Sequence, residues 1–505
     1  MLLRPLPSLP RRLSLVCALA GAVVLASPLV ASANAAITRI AVDPFTNTTS
    51  QHKTIVEPDT FSFGSTIVAP AQFGRFFDGG ASDVGFATST NNGTSWTSGV
   101  LPGVTKFAGG GIYDRVSDAA VAYDDKHGVW LVSSLALLDT ASGPLGAAVL
   151  TSRSTTGGLT WENPVTTALA GRRQDLDKNW IVCDNTASSP FYGSCYTQYD
   201  DFGSGNALHM SYSRDGGLTW TESKVPRVGV IGGQPLVQPN GNVVMPIDNA
   251  SSTALGYTVS TDGGRRFGKA LVITPITAAQ DPGDIRSGPL PSAEIAGDGK
   301  VYVVWEDCRF RAGCPAAGTP NDLVYVTSSN GTTWSPVQRI PIDPVTSTVD
   351  HFIPGVAVDK NTSGANIHVG VTYYYYPNTN CTEATCQLFS GYVSSANGGA
   401  SWSAPTQLAG PMTMSWIPDT SQGRMVGDYI STSFGSDGLA YPAIAVANRP
   451  TAGGPDCVAA TPNCDQAMYS SSPGLPATGG SVVAADPVLF TGQAGPGASA
   501  FKHRR

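Results

Sequence analysis

The segment Ser213-Arg214-Asp215-Gly216-Gly217-Leu218-Thr219-Trp220 is a tight turn that ends in an aromatic side chain. An Asp in the third place can cap the backbone of its own turn, and a Gly in the fifth place permits a positive φ. The closing indole can pack against a neighbouring layer. Weaker copies lie at 89–96, 154–161, 260–267, 327–334 and 395–402. Repeated turns of this kind along one chain indicate a repeat architecture.

The composition favours short strands over helices. The chain of 505 residues has 13% charged residues, 57 Gly, 37 Pro and a formal net charge of −7. Low charge with many turn-forming residues is typical of all-β proteins. There is no basic stripe, so we expect no nucleic-acid partner.

The sequence between the turns repeats one order of strands. An apolar strand ends in Asp or Asn, and a second strand, a third strand, the octapeptide and a short fourth strand follow. Residues 118–124, 129–138 and 147–152 show this order ahead of the turn at 154–161. Units of four strands arranged around an axis form a β-propeller, which is the all-β fold that we expect. Seven blades are favoured, and six result if the two end segments share one blade.

The N-terminus has the features of an export signal. Arg4, Arg11 and Arg12 precede an apolar stretch at 13–30, and Ala33-Asn34-Ala35 is a small-x-small cleavage site. An uncleaved membrane anchor is the alternative. No later stretch is long and apolar enough to span a bilayer. We therefore expect a secreted, extracellular protein without a membrane span after signal removal.

Four segments follow from these patterns. They are a signal peptide (1–35), a lead-in (36–51), a propeller (52–472) and a tail rich in Gly, Pro and Ala (473–505). A strand near 482–490 in the tail would help to close the ring.

The cysteines predict disulfides. Of the nine, Cys17 lies in the predicted signal, and the other eight form sequence neighbours: Cys183 with Cys195, Cys308 with Cys314, Cys381 with Cys386, and Cys457 with Cys464. An even number of locally paired cysteines in an exported chain predicts four short-loop disulfides. Metal ligation is the alternative, but the spacings are unequal and no His residues cluster beside the cysteines.

The octapeptide resembles the Asp-box, S-x-D-x-G-x-T-W, also called the BNR repeat, which is typical of sialidase-like propellers. Residues 213–220 match it fully, and the other copies match with substitutions. The resemblance implies a structural turn between the third and fourth strands of a blade, with Asp215, Asp262 and Trp220 in packing roles. The resemblance is specific for the fold and not for the activity, because Asp-boxes also occur in sortilin-like receptors and some glucan hydrolases.

The resemblance also implies a site. Sialidases bind the sugar carboxylate with three arginines and use a tyrosine nucleophile, a glutamate base and an aspartate acid. A guanidinium can hold a carboxylate by two parallel hydrogen bonds, and a neutral phenol attacks an anionic sugar with little repulsion. The implied counterparts are Arg115, Arg286 and Arg424 for substrate binding, Tyr429 as nucleophile, Glu294 as base and Asp118 as acid. For each of them the alternative is an ordinary surface or interblade hydrogen bond.

Alignment of the repeats gives an independent pointer to the site. It places Asp118, Lys178, Gln234 and Ser292 near the start of successive innermost strands. A propeller presents these positions at one mouth of its axis, where they form a site or line a wet channel.

The first blade departs from the sialidase pattern. Sialidases carry an F/Y-R-I-P motif there, but residues 55–61 contain no Arg, and Arg75 follows on a predicted second strand. Glu57 and Asp59 could instead belong to a two-carboxylate glycosidase site. Three functions are therefore expected as alternatives: a sialidase-type exo-glycosidase acting on extracellular glycans, a non-catalytic propeller that binds a glycan or glycoprotein, or another hydrolase or lyase.

Two further patterns concern ligands. Tyr373 to Tyr376, with Trp416, could form a sugar-stacking platform, although two of the four tyrosines should face the core because side chains alternate along a strand. No cofactor is expected. Asp200, Asp201 and Asp307 could hold Ca²⁺, but no regular ligand loop is present, so no metal is assigned.

Overall fold

The computed structural model describes residues 34–451, 456–457 and 464–480. The predicted signal peptide, Cys17 and the predicted strand near 482–490 lie outside these residues. The described residues form β-strands and three short 3-10 helices at Phe202–Ser204, Gly364–Asn366 and Met414–Trp416, which confirms the all-β prediction. Within this part of the chain, no helix has the length and apolar character needed to cross a membrane.

Most strands fall into consecutive antiparallel groups, which we number 1 to 7 along the chain. The first strand, β1 (Ile37–Ala41), precedes them. Group 1 contains β2 (Ile55–Val56), β3 (Phe61–Phe63), β4 (Thr66–Arg75), β5 (Ala81–Ser89) and β6 (Thr97–Val100). Group 2 contains β7 (Arg115–Asp124), β8 (Val129–Thr140), β9 (Gly143–Ser154) and β10 (Val165–Leu169). Pairing of β5 with β7 joins the two groups into one sheet.

The next three groups are separate sheets. Group 3 contains β11 (Leu176–Cys183), β12 (Cys195–Asp201), β13 (Ala207–Ser213) and β14 (Thr221–Glu222). Group 4 contains β15 (Val230–Gly233), β16 (Leu236–Val237), β17 (Val243–Asn249), β18 (Ala254–Ser260) and β19 (Leu271–Pro275). Group 5 contains β20 (Ser292–Ile295), β21 (Val301–Asp307), β22 (Asp322–Ser328) and β23 (Gln338–Arg339).

Two groups and a small ribbon complete the fold. Group 6 contains β24 (Asp350–Val358), β25 (Val369–Tyr376), β26 (Gln387–Ser395) and β27 (Thr406–Thr413). The ribbon pairs β28 (Asp419–Thr420) with β29 (Gly423–Arg424). Group 7 contains β30 (Ser431–Phe434), β31 (Leu439–Ala447), β32 (Gln466–Ser471) and β33 (Leu475–Pro476).

Strand β1 belongs to group 7 although it comes from the predicted lead-in. It pairs antiparallel with β32, with Ile37 opposite Ser471 and Thr38 opposite Ser470. The beginning and the end of the described chain are therefore hydrogen-bonded in one sheet. The outer edge of group 7 is filled from the N-terminal side of the chain.

The octapeptide turns connect the last two strands of each of groups 1 to 6. In the turn after β13, the Ser213 hydroxyl donates to Asp215 Oδ1 (2.8 Å) and accepts from the Gly217 N–H (3.0 Å). Asp215 Oδ1 also accepts from the Thr219 N–H (3.0 Å). The turns that begin at Ser89, Ser154, Ser260 and Ser395 have the corresponding bonds.

The turn after β22 is shifted by one residue from the predicted 327–334 pattern. Ser328, not Thr327, is the first residue of its hydrogen-bonded loop, and its hydroxyl donates to Asn330 Oδ1 (3.3 Å). Asn330 Oδ1 also accepts from the Thr333 N–H (2.7 Å). The loop is one residue shorter than the others, since Asn330 binds the N–H three residues later whereas Asp215 binds the N–H four residues later.

Each turn packs against the group that precedes its own. Gly217 lies beside Leu131 of group 2, Gly264 beside Tyr196 of group 3, and Gly331 beside Val244 of group 4. Gly158 and Gly399 likewise meet groups 1 and 5, at Val68 and Tyr325. Gly93, in the turn of group 1, meets Tyr441 of group 7. A side chain at these positions would collide with the neighbouring sheet, so the small residue is needed for packing as well as for its positive φ.

The first strands of the groups contact one another in chain order. Contacts run from β3 to β7, β7 to β11, β11 to β15, β16 to β20, β20 to β24 and β24 to β30, and β30 also contacts β3. Apolar side chains fill the layers between groups, and Trp305, Phe352 and Phe73 are among the largest that are fully buried.

All four predicted disulfides are present: Cys183–Cys195, Cys308–Cys314, Cys381–Cys386 and Cys457–Cys464. Each closes a short loop, with 12 residues or fewer between the two cysteines.

Candidate functional site

First strands in four groups carry a β-bulge near their beginning. In each case a residue inside the bulge has a positive φ: Asp118 (50°), Lys178 (53°), Gly232 (92°) and Ile353 (48°). Glu57, just after β2 in group 1, also has a positive φ of 53°. A non-glycine residue rarely adopts this conformation, so the surrounding packing must hold it there. Bulges of this kind re-aim side chains and are common beside functional sites.

Polar side chains near these bulges bind backbone N–H groups of the next group. In each pair a side-chain oxygen accepts from a backbone N–H: Asp59 from Val121 (2.8 Å), Asp118 from Lys178 (2.9 Å), Gln234 from Ala293 (2.5 Å) and Ser292 from Val356 (3.0 Å). Of the four donors, Lys178 lies inside a bulge, which leaves its N–H outside the strand ladder for Asp118 to bind. Asp118, Gln234 and Ser292 therefore help to hold adjacent groups together.

An ion cluster lies at the start of the first strands. Arg286 donates two hydrogen bonds to Asp428, from Nε to Oδ1 (2.6 Å) and from Nη2 to Oδ2 (2.6 Å). The Lys178 ammonium also donates to Asp428 Oδ2, at 2.5 Å. Despite burial, the two cations hold the pKa of Asp428 far below its usual range. Carboxylates around them raise the pKa values of Lys178 and Arg286, so the cluster is fully charged at neutral pH.

Glu57 and Arg75 lie behind this cluster. Glu57 accepts from the Asp428 N–H (3.1 Å) and from the Gln72 side-chain amide. Burial, followed by the Asp428 and Asp118 carboxylates, raises the pKa of Glu57 to about 7. Arg75 donates to Gln72 Oε1 (2.8 Å), and burial together with Arg286 lowers its pKa to about 10. Among the described residues, Arg75 Nε has no hydrogen-bond partner.

Tyr429 adjoins the cluster as a neutral phenol. Its hydroxyl donates to the Ala119 carbonyl (3.2 Å), and its ring meets the edge of Trp180 at a centroid distance of 5.1 Å. Burial, and then the Glu57 and Asp118 carboxylates, raise the pKa of Tyr429 well above its usual value. The phenol therefore stays protonated unless a nearby base accepts its proton.

A small cavity of about 40 Å³ opens beside these groups, and we call it the upper cavity. Its lining residues are Asp118, Lys178, Asn179, Trp180, Gly232, Gly233, Gln234, Leu290, Pro291 and Tyr429. The lining combines an acid, an ammonium, a phenol and an indole. This set can hold a polar group by charge-assisted hydrogen bonds and by contact with an aromatic side chain.

The three predicted arginines bind different carboxylates, and none is shared between two of them. Arg286 binds Asp428, as described above. Arg115 forms an ion pair with Asp139 (Nε to Oδ1, 2.6 Å), donates from Nη1 to Asp78, and lies over the Phe76 ring.

The third arginine has other partners again. Arg424 donates to Glu383 Oε1 from Nε (3.0 Å) and Nη2 (2.8 Å), and to the Ile417 and Cys457 carbonyls. Its contact with Arg286 is through the backbone, where the Arg286 N–H donates to the Arg424 carbonyl (2.8 Å). A shared substrate-binding role for the three guanidinium groups stays a prediction.

The predicted catalytic residues are divided between two places. Asp118 and Tyr429 both line the upper cavity. Glu294 lies at β20, where burial raises its pKa and the Lys360 ammonium opposes that shift. It lines a different cavity, which contains neither Asp118 nor Tyr429. Its role as the base therefore stays a prediction, without a described contact to Tyr429.

The tyrosine run and the acidic cluster have structural partners. Tyr373, Tyr374 and Tyr376 are fully buried, so three of the four tyrosines lie in the core where two were expected. Asp200 accepts from Asn206 (2.8 Å), Asp201 from the Asp175 N–H (3.0 Å), and Asp307 from Arg309 (2.8 and 2.5 Å).

One further set of residues has a spacing that suits a metal. Ligand atoms of Asp322, Asp343 and His351 lie within 4.8 Å of one another. Arg311 and Arg339 already bind both carboxylates of this set, so it is an ion-pair network. No metal is assigned to it.

Comparisons with known proteins give similarity of fold only. No protein-family model and no curated protein matches the sequence. A Hadza microbial sialidase is similar at 16% identity and a TM-score of 0.44, over 63% of this chain and 63% of that chain. The leech intramolecular trans-sialidase is similar at 12% identity and a TM-score of 0.45, over 66% of each chain.

A Trypanosoma rangeli sialidase is similar at 14% identity and a TM-score of 0.44, over 73% of this chain and 60% of that chain. The matched regions thus span less than two thirds of these sialidases. At this level of similarity, any activity must be argued from the residues of this chain.

Proposed function

We propose that the seven groups are the seven blades of a closed β-propeller. The contact order of the first strands, in which β30 contacts β3, supports this arrangement. The packing of Gly93 against Tyr441 supports it too, since this turn meets group 7 as the other turns meet their preceding groups. Strand β1 would complete the seventh blade by its pairing with β32.

We further propose that a glycosidase site acting on the terminal sugar of a glycan lies at the upper cavity. The observation that carries this proposal is the convergence of Asp118, Lys178, Arg286, Asp428 and Tyr429 from distant parts of the sequence. Perturbed titratable groups beside a concave, aromatic-lined site are typical of catalysis. The disulfides support an extracellular location, where glycans are available as substrates.

In the proposed reaction, Tyr429 Oη attacks the anomeric carbon while the glycosidic C–O bond breaks. Asp118 acts as the general acid and gives a proton to the departing oxygen. Glu57 accepts the phenolic proton, and its pKa of about 7 suits a base at neutral pH. Asp118 then deprotonates a water that displaces Tyr429 from the sugar, and Glu57 returns the proton to the phenolate.

Arg286 and Lys178 provide a preference for an acidic sugar in this proposal. In the free protein their positive charges are balanced by Asp428. A sugar carboxylate could share the guanidinium with Asp428, because guanidinium has five N–H donors and only two are used there. A sialyl residue is therefore the first substrate to test.

The test is release of the aryl group from a sialyl aryl glycoside, with neutral aryl glycosides as comparison substrates. We expect Tyr429→Phe to lower kcat by about a thousandfold or more, because it removes the covalent route. Tyr375→Phe is the matched control, since it deletes a phenol hydroxyl that contacts Gln407 of group 6. Equal release by wild type and Tyr429→Phe would contradict the proposal.

A non-catalytic glycan-binding propeller is the second candidate. It is favoured by the pairing of Asp428 with both cations and by the Tyr429 hydroxyl bond to a backbone carbonyl, which leave these groups satisfied without a substrate. Saturable binding of a sialylated glycan, weakened by Arg286→Ala and accompanied by no release from any aryl glycoside, would support this candidate.

A further inference from the structure

We propose that a second cavity, at the other ends of the first strands, binds an organic ammonium ion. This site is separate from the upper cavity and does not depend on the proposed hydrolysis. We call it the lower cavity, and its key residues are Phe61, Phe63, Glu294 and Lys360.

The position of the lower cavity follows from the strands that line it. Its volume is about 520 Å³, large enough for a small organic ligand. The upper cavity is lined by residues near the beginnings of β7 and β11, whereas this one is lined by the ends of β11, β20, β24 and β30. A third, narrow cavity shares Trp180 and Gln234 with the upper one, and Phe61 and Glu294 with the lower one. The two sites therefore lie at opposite ends of one path.

Glu294 supplies a carboxylate that lacks a strong partner. Its hydrogen bond among the described residues is a long one from the Ile295 N–H, at 3.3 Å. Two other buried carboxylates, those of Asp428 and Asp322, bind guanidinium groups directly. An incoming cation at Glu294 would gain attraction between opposite charges without breaking an existing ion pair.

An ammonium ion already lies on the aromatic wall of the cavity. The Lys360 Nζ is 4.1 Å from the centroid of the Phe61 ring, which is the geometry of a cation–π contact. Phe63, beside it, is 38% exposed, and its ring packs on Tyr123 at a centroid distance of 4.3 Å. Lys360 thus occupies, from within the chain, the position that a ligand ammonium would take.

The charges of the cavity favour a cation over an anion. Glu294 and Asp359 line the cavity and Asp59 interacts with Glu294, whereas Lys360 is the cation among the lining residues. Asp359 also faces His368, at 3.5 Å. Carboxylates therefore outnumber the ammonium group, and a ligand cation would reduce the repulsion between Glu294 and Asp59.

The sharpest test uses choline and its uncharged isostere 3,3-dimethylbutan-1-ol, titrated into the purified protein by calorimetry. We expect choline to bind and the alcohol to bind at least about tenfold more weakly, since a charged contact is lost. Glu294→Gln should weaken choline binding by about tenfold or more. Lys360→Met should strengthen it, because the internal competitor is removed while the length of the side chain is kept.

The pH dependence of choline binding provides a second test. Because the pKa of Glu294 is raised, choline affinity should increase as pH rises through that pKa and the carboxylate ionises. The charged groups around Glu294 are Lys360 and Asp359, which line the lower cavity, and Asp59, which interacts with Glu294. Glu294→Gln should reduce this dependence of choline affinity on pH.

Three outcomes would overturn the proposal: equal affinity for choline and the alcohol, weaker choline binding by Lys360→Met, or no binding by either wild type or Lys360→Met. Thermal unfolding of each variant shows whether it folds. If Glu294→Gln fails to fold, the surface change Lys360→Met still decides the question.

Discussion

Asp59 shows at the scale of one residue how burial sets the protein's response to pH. It is 3% exposed, and burial raises its pKa from 3.8 to about 7. It nevertheless accepts the Val121 N–H from group 2, so its oxygen has a structural use. An amide oxygen could accept the same bond without the cost of a buried charge.

We expect Asp59→Asn to change the pH dependence of stability. A carboxyl whose pKa is higher in the folded state stabilises that state fully below its unfolded pKa and loses this contribution as pH rises through the folded value. For Asp59 the loss falls between 3.8 and about 7. The unfolding free energy of Asp59→Asn relative to wild type should therefore rise across this window, by on the order of a few kcal/mol.

Urea denaturation of both proteins below and above this window measures the change. Asp175→Asn is a comparison at another carboxylate that binds a backbone N–H, that of Gly146. A constant difference between Asp59→Asn and wild type at all pH values would contradict the assignment.

The octapeptide turn is the element that carries both local geometry and packing between sheets. Gly157 and Gly217 both have positive φ, at 71° and 79°. A Cβ on Gly157 would meet no atom within 4 Å, whereas one on Gly217 would lie 2.9 Å from Leu131 of group 2. Substitutions at these two glycines therefore distinguish the effect of backbone strain from the effect of contact with the neighbouring group.

We expect Gly157→Ala to destabilise the protein by about 1 kcal/mol, through backbone strain alone. Gly217→Ala should cost about 1–3 kcal/mol more, because it also overpacks the boundary between groups 2 and 3. Denaturant midpoints at constant m-value measure both changes. Equal effects would show that the turn does not pack against group 2 as described.

The elements also show how far the sequence determines the structure. The turn spacing predicted the all-β strand order and the position of the turns, because Gly and Asp act within eight residues of chain. The bulges were not predicted, since they insert residues without a composition signal. Because of the bulges, Gly232 in group 4 and Ile353 in group 6 lie at the positions equivalent to Asp118 and Lys178. The alignment of the repeats had placed Gln234 at this position in group 4.

The candidate site was predicted only in part, for a similar reason. Asp118, Arg286 and Tyr429 lie beside one cluster, because each stands just before or within the start of a first strand, and their roles in a site stay predictions. The partners of Arg115 and Arg424 depend on loop carboxylates, Asp139 and Glu383, whose positions no repeat pattern reports. The length and direction of the two arginine side chains determine which of these carboxylates each one binds.

At the scale of the whole molecule, the proposed ring requires that sheets far apart in sequence face one another. Lys178 belongs to group 3 and Asp428 precedes group 7, with 250 residues between them. An ion pair with this sequence separation is expected if the groups curve around a common centre, as we propose. The same arrangement brings Tyr429 against Trp180, and Asp428 against Glu57.

A double-mutant cycle on this pair tests the central claim most directly. The unfolding free energies of wild type, Lys178→Met, Asp428→Asn and the double variant would be measured by denaturant titration. Since the pair is largely buried, we expect each single change to be destabilising and the coupling energy to be about 1–3 kcal/mol. Strictly additive effects would mean that groups 3 and 7 do not meet across the axis, and would contradict both the ring and the site.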